Sequence, residues 1–270
     1  MSVDIDYAIN TNGILLSGAA AEEIARGSKW TRISIDSGNA QQYKELHAGK
    51  DFYNKIINNA EAFNKIKIGT SGVSYIVMQD NIDGIVACTK LAKDIGCDFI
   101  QFKPIYELFF DGKRQQKVYQ EELIRSVFIE LEKAKELQTS DFAVLVTGSM
   151  DAVLKGKGNE QFKQYQTCYA QQLVTLINPI NVFVCPNWRG SEDMGIGDIN
   201  THSFKEIWLS DRRKEVINNL NPSNDCNLQC LRHQINVVMD SLVRSKRMDF
   251  DILNLMETIE DNILVDSNFI

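Results

Sequence analysis

Proline is scarce, 4 in 270 residues, and no tract of low complexity interrupts the chain, which leaves little room for a disordered linker. No apolar run approaches the roughly 20 residues that a membrane-spanning helix needs. Cationic excess is missing too. The formal net charge is -7, from 29 Lys and Arg against 36 Asp and Glu, which argues against a nucleic-acid surface. The opening segment MSVDIDYAIN has neither the basic start nor the apolar stretch of a secretory leader. The expectation is therefore a cytoplasmic protein with reduced thiols. At 44% hydrophobic residues, the chain has enough apolar side chains to bury a core.

Six cysteines are present, and four of them fall at Cys168, Cys185, Cys226 and Cys230 in the pattern C-x16-C-x40-C-x3-C. In a reducing compartment, spaced cysteines bind metal more often than they form disulfides. Residues Gln171 to Ile177, the turn Asn178-Pro179 and Ile180 to Cys185 read as a β-hairpin with a cysteine near each open end. Two ligands there can close on two more from the Cys226 to Cys230 loop. Such a set suits a four-thiolate iron-sulfur cluster or a four-cysteine zinc site. Four separate buried thiols are the remaining alternative, because free cysteine packs as a small hydrophobe. Cys88, in a helical run, and Cys97, just before an apolar strand, read as core residues.

The N-terminal half alternates strands and helices. Strands are expected at Ile5 to Asn10, Thr31 to Asp36, Val73 to Met78, Asp98 to Lys103 and Phe142 to Thr147. Helices are expected at Ala19 to Gly27, Phe52 to Asn64, Ile82 to Ile95 and Gln116 to Leu137. This rhythm predicts a parallel sheet with helical crossovers, an α/β fold. Gly148 to Asn159 reads as a boundary loop, dividing the chain into residues 1–150 and 151–270. Beyond the last cysteine, Val238, Leu242 and Val243 form one apolar stripe at helical spacing, and Ile252, Leu255, Met256 and Ile259 another.

Several of these segments carry a family resemblance. The run from Cys168 to Asn236, with its hairpin, Gly197-Asp198-Ile199, Phe204 to Trp208, Arg212-Arg213 and C-x3-C-x2-H, resembles the auxiliary cluster domain of radical SAM enzymes. That domain is called SPASM in its long form and twitch in its short form. With four cysteines in this region, the chain is similar to the twitch type, which implies one auxiliary [4Fe-4S] cluster held by Cys168, Cys185, Cys226 and Cys230. Thr11 to Leu16 after the first strand, Arg32 to Asp36, Gly72 to Asn81 and Gln101 to Pro104 resemble, in order, strands 3 to 6 of the radical SAM barrel. The resemblance implies a partial (β/α) radical SAM barrel over residues 1–150. A small α+β twitch or SPASM-like domain with C-terminal helices follows over residues 151–270.

Strand periodicity bears on the same question. Arg32, Ser34 and Asp36 share one face and Ile33 and Ile35 the other, and Gln101 and Lys103 oppose Ile100 and Phe102. Burying such polar groups without partners costs about 1 to 3 kcal/mol each, so a polar, ligand-holding face explains them better than a sheet covered on both sides. The resemblance places Ser34 and Asp36 near S-adenosylmethionine; the alternative is that Asp36 and Ser37 cap a turn before Gly38. The C-x3-C-x2-C motif that binds the cofactor-cleaving cluster does not occur, and Cys88 and Cys97 have the wrong spacing to replace it. S-adenosylmethionine chemistry would then require another chain to supply the missing part of the barrel, as in a truncated or split enzyme. The alternative is a non-catalytic iron-sulfur or zinc-binding interaction protein. Related enzymes act on peptides, sugars and aminocyclitols, and no residue selects among these.

Overall fold

The computed structural model describes residues 5–108, 114–116, 121–155, 163–226, 230 and 232–245. Alternating apolar residues become strands and amphipathic stretches become helices: β1 (Ala8–Thr11), α1 (Gly18–Gly27), β2 (Trp30–Ser34), α2 (Ala40–Leu46), α3 (Tyr53–Asn64), β3 (Thr70–Val77), α4 (Ile85–Asp94) and β4 (Phe99–Pro104). A hairpin follows, β5 (Tyr106–Leu108) against β6 (Arg114–Gln116), and then α5 (Glu121–Lys135), β7 (Ala143–Val146) and α6 (Gly148–Leu154). The chain divides into two compact units. The first holds residues up to Ile105 and from Lys117 to Gly158, and the second holds Tyr106 to Gln116 and everything from Asn159.

The first unit is built on a five-stranded parallel sheet in the order β1-β2-β3-β4-β7. The strands succeed one another in one direction without reversal. Right-handed crossovers in such a sheet place every connecting helix on the same side. Burial confirms it: Ile33, Ile35, Val73, Tyr75, Val77, Ile100, Phe102 and Val144 share one core with Ala25 of α1, Ile56 and Phe63 of α3, Cys88 of α4 and Leu131 of α5. The register assigns the opposite face to Asn10, Arg32, Ser34, Ser74, Gln101 and Lys103. Gly72 lies on that face because the Phe99 ring occupies its side-chain space; a β-carbon there would meet the ring at 2.3 Å.

Sequence expectation and structure differ in places. Ile5 to Tyr7 is not strand, and β1 begins at Ala8. Residues 79–84 form a 3-10 turn before α4 instead of its first turn, because Asn81, fully buried, ties off the strand ends: its amide donates to Asp36 O and Ile76 O, each at 2.9 Å. Gln116 closes the hairpin strand β6 and does not open a helix. The expected loop from Gly148 is instead α6, with Thr147 Oγ1 capping the Met150 N–H at 3.3 Å and Met150 and Val153 buried. Residues 156–159 of that loop lie outside the described residues. So does the apolar stripe Ile252 to Ile259.

The second unit carries a small antiparallel sheet in the order β10-β9-β8, from β8 (Leu176–Ile177), β9 (Val182–Phe183) and β10 (Gly195–Gly197). The expected hairpin is present but short, pairing Leu176 with Phe183 and Ile177 with Val182. Gln171 and Gln172, expected to open the hairpin strand, belong instead to the 3-10 turn Ala170–Gln172. The FKEIW segment becomes α7 (Phe204–Leu209), started by a capping box in which Ser203 and Glu206 satisfy each other's backbone N–H. Helices α8 (Asp211–Asn219), α9 (Pro222–Asp225) and α10 (His233–Ser245) follow. Val182, Val184, Ile196, Ile207 and Val216 form the core. Gly197 has φ +155, and a β-carbon there would come within 2.9 Å of Ile207. No helix among the described residues is long and apolar enough to cross a membrane.

Candidate metal centre

Each of the four cysteines sits at the boundary of an element. Cys168 precedes the 3-10 turn Ala170–Gln172, and Cys185 follows β9 and caps the turn Pro186–Trp188, its Sγ accepting from the Asn187 N–H at 3.4 Å. Cys226 closes α9, and the Cys230 carbonyl accepts from His233 N–H at 3.0 Å as α10 begins. Arg213 fixes the first of these segments: its Nη2 donates to Gln171 Oε1 at 2.8 Å and Gln172 Oε1 at 2.9 Å, while its guanidinium lies 3.7 Å over the Trp208 ring. Arg212 clamps the other side through Asp193 O at 2.7 Å and Gly195 O at 3.2 Å. The Arg-Arg pair that the sequence singles out is thus a scaffold for the cysteine loops.

All four thiols are half-buried and free of disulfides. Cys168, Cys185 and Cys230 line one small hollow with Ala170, Val184 and Arg232. Burial first, then Cys185 and Cys168, push the Cys226 thiol up to about 12, with Lys163 opposing and Cys230 adding the smallest rise. Burial also raises Cys168, with Cys230 adding to it and N–H donors opposing, and raises Cys185, with Cys230 and Cys168 adding to it. A thiolate at Cys168, Cys185 or Cys226 is therefore disfavoured until a cation compensates. Lys163, 4% exposed, is coupled to Cys226 and Cys230, though burial holds its own pKa below the usual range. Tyr165 is raised mainly by burial and next by Cys230, and its hydroxyl meets His233 Nδ1 at 3.2 Å. Among the described residues, no three His, Cys, Asp or Glu side chains are placed so as to hold a metal ion. Cys88 and Cys97 are core residues at 0% and 4% exposure, and burial raises both.

Ser34 and Asp36 lie at the C-terminal end of β2. Ser34 is exposed. Asp36 does not cap a turn. Its Oδ1 accepts from the Ile76 N–H at 2.7 Å on the neighbouring strand, while Asn39 is the residue that caps α2. Burial raises the Asp36 pKa, with the Ile76 N–H, His47 and Lys103 pulling it down. Beside it, Arg32 is 6% exposed and donates to Asn10 Oδ1 at 2.8 Å and to Gln101 Oε1. The alternation of polar residues on this face was readable in sequence; the Arg32 bridge from β1 to β4 was not. Lys163, Tyr165 and Asn236 were also missed, because a buried polar residue leaves no spacing signal.

Lys103 offers a test of this polar face. Burial, and then the charge of Arg32, lower its pKa from 10.5 to about 8, with Asp36 opposing. Between those two values the unfolded chain binds a proton that the folded chain has released, so this residue makes stability rise with pH across that window. Denaturant unfolding should show the wild type gaining stability relative to Lys103→Met from about pH 8 to pH 10. A constant difference would place Lys103 in water.

No family model matches the chain. Over 115 residues it is 36% identical to GTP 3',8-cyclase of Alkaliphilus oremlandii, a match covering 40% of this chain and 34% of the cyclase. Over 104 residues it is 27% identical to a probable GTP 3',8-cyclase of Methanocaldococcus jannaschii, covering 38% and 35%. The matches thus span about a third of the length of these curated relatives. Among solved structures, Streptococcus suis SuiB bound to S-adenosylmethionine shares the fold at a TM-score of 0.55 and 13% identity, over 82% of this chain and 50% of SuiB. SuiB bound to its precursor peptide SuiA gives 0.55 and 11% identity, over 84% and 53%. The sequence matches over part of the chain, together with the shared fold, support a relationship with the radical SAM proteins.

Proposed function

We propose that this chain is a radical SAM-type protein in which residues 1–150 form a partial barrel, strands 3 to 6, and the C-terminal unit is a twitch-like domain. In it, Cys168, Cys185, Cys226 and Cys230 bind one auxiliary [4Fe-4S] cluster. The observation that supports the reading is that Cys168, Cys185 and Cys230 line one hollow, with the Cys226 thiol within electrostatic reach of them. The donor set fits the group: thiolates are the ligands of iron-sulfur clusters, and a bound cation offsets the burial that disfavours thiolates at Cys168, Cys185 and Cys226. When bound, such a cluster supplies a one-electron acceptor or anchors the fold. Ser34 and Asp36 are the proposed contacts to S-adenosylmethionine, Asp36 held in place by the Ile76 N–H.

The cofactor-cleaving cluster is a different matter. No C-x3-C-x2-C occurs in the 270 residues, so these residues do not fit that cluster, and no cleavage step is assigned to the chain alone. Activity would depend on three thiolates brought to the sheet from outside these 270 residues. The test of the auxiliary site is direct: anaerobically reconstituted protein should hold about four irons and absorb broadly near roughly 400 nm. A colourless protein with one zinc would favour a zinc-binding interaction protein instead.

A further inference from the structure

Asn236 is 1% exposed, on the first turn of α10, and its amide reaches Cys168. Its Oδ1 accepts from the Ala170 N–H at 2.9 Å. That bond fixes which way the amide points, because only the oxygen can accept from an N–H. The other half of the amide, Nδ2, then necessarily turns toward Cys168, whose Sγ lies at 3.7 Å. Arg213 holds the Gln171-Gln172 segment next to Ala170, so the acceptor side of Asn236 is clamped from both directions. A buried amide with every polar atom committed does not reorient cheaply.

We propose that Asn236 is a positioning residue for the metal centre, whose N–H donated to the Cys168 sulfur stabilises the electron-rich state of whatever iron that sulfur binds. The inference rests on the four-cysteine cluster reading. Its physical basis is that a reduced cluster carries one more negative charge than an oxidised one, much of it on the sulfurs. A donor aimed at a ligand sulfur therefore favours reduction, and hydrogen bonds to the sulfurs are among the levers that set cluster potentials. The Asn187 backbone N–H does the same at Cys185 but is fixed by the main chain, whereas Asn236 is a side chain that substitution can remove.

The experiment is a spectroelectrochemical titration of reconstituted wild type, Asn236→Ala and Asn236→Asp, with iron content measured on each. Asn236→Asp is isosteric and keeps the acceptor for the Ala170 N–H while losing the donor to sulfur, so it decides the matter if Asn236→Ala does not fold. Both variants should keep their iron and show midpoint potentials more negative than wild type, with Asp further shifted than Ala. Midpoints equal to wild type at equal iron content would overturn the inference and leave the cluster reading standing. Wild-type protein that takes up no cluster would overturn the reading beneath it.

Discussion

Reconstituted protein carrying Cys185→Ser is expected to lose its cluster and to unfold its C-terminal unit under conditions that leave Cys88→Ser folded. The two thiols differ in what they do for the chain. Metal binding at a structural thiolate site contributes on the order of 10 kcal/mol to folding, comparable with the net stability of a whole domain at roughly 5 to 15 kcal/mol. Among the described residues the second unit has a small core, centred on Val182, Val184, Ile196, Ile207 and Val216, and so draws more on that contribution. Cys88 is fully buried in the larger core, and its thiol reaches Ile35 O at 3.7 Å. A serine there keeps a donor for the same carbonyl and should cost only about 1 to 3 kcal/mol. Denaturation followed by Trp fluorescence reports on the second unit through Trp188 and Trp208 and on the first through Trp30. Equal losses from the two substitutions would make all six cysteines ordinary core residues.

The isolated chain is also expected to form no 5′-deoxyadenosine from S-adenosylmethionine under strongly reducing conditions, with the C-terminal cysteines loaded with iron or not. Three thiolates on a [4Fe-4S] cluster leave one iron free to chelate the methionine part of the cofactor, and the chain carries no C-x3-C-x2-C to provide them. Four protein thiolates on the auxiliary cluster leave no iron open in that way. Chromatographic detection of 5′-deoxyadenosine is the readout. Turnover by this chain alone would show that the division of labour between barrel and partner is wrong, and that one of the four cysteines is not a ligand.

Much of the first unit is legible in the sequence because its strands obey a period of two and its core is one-sided. Arg32 and Ser34 alternate with Ile33 and Ile35, and the structure places the first pair on the polar face and the second in the core. Boundaries were harder to read where side chains compete with backbone ladders. Asn81 closes β3 by donating to the Asp36 and Ile76 carbonyls at the strand ends, and Thr147 starts α6 within a stretch whose glycines suggest a loop. In the second unit the cysteine spacing was visible, and so was the hairpin between the first two. What spacing could not convey was how the loops are held: Arg213 on Gln171 and Gln172, Arg212 on two carbonyls and Asn236 on Ala170 are long-range bonds between polar residues with no periodic signature.

The measurement that bears most directly on the central claim is a crystal structure of the anaerobically reconstituted protein, with anomalous diffraction collected at the iron edge. The account predicts one cluster of iron scatterers ligated by the sulfurs of Cys168, Cys185, Cys226 and Cys230. A single non-iron metal among those sulfurs, or thiols with no anomalous density between them, would contradict it.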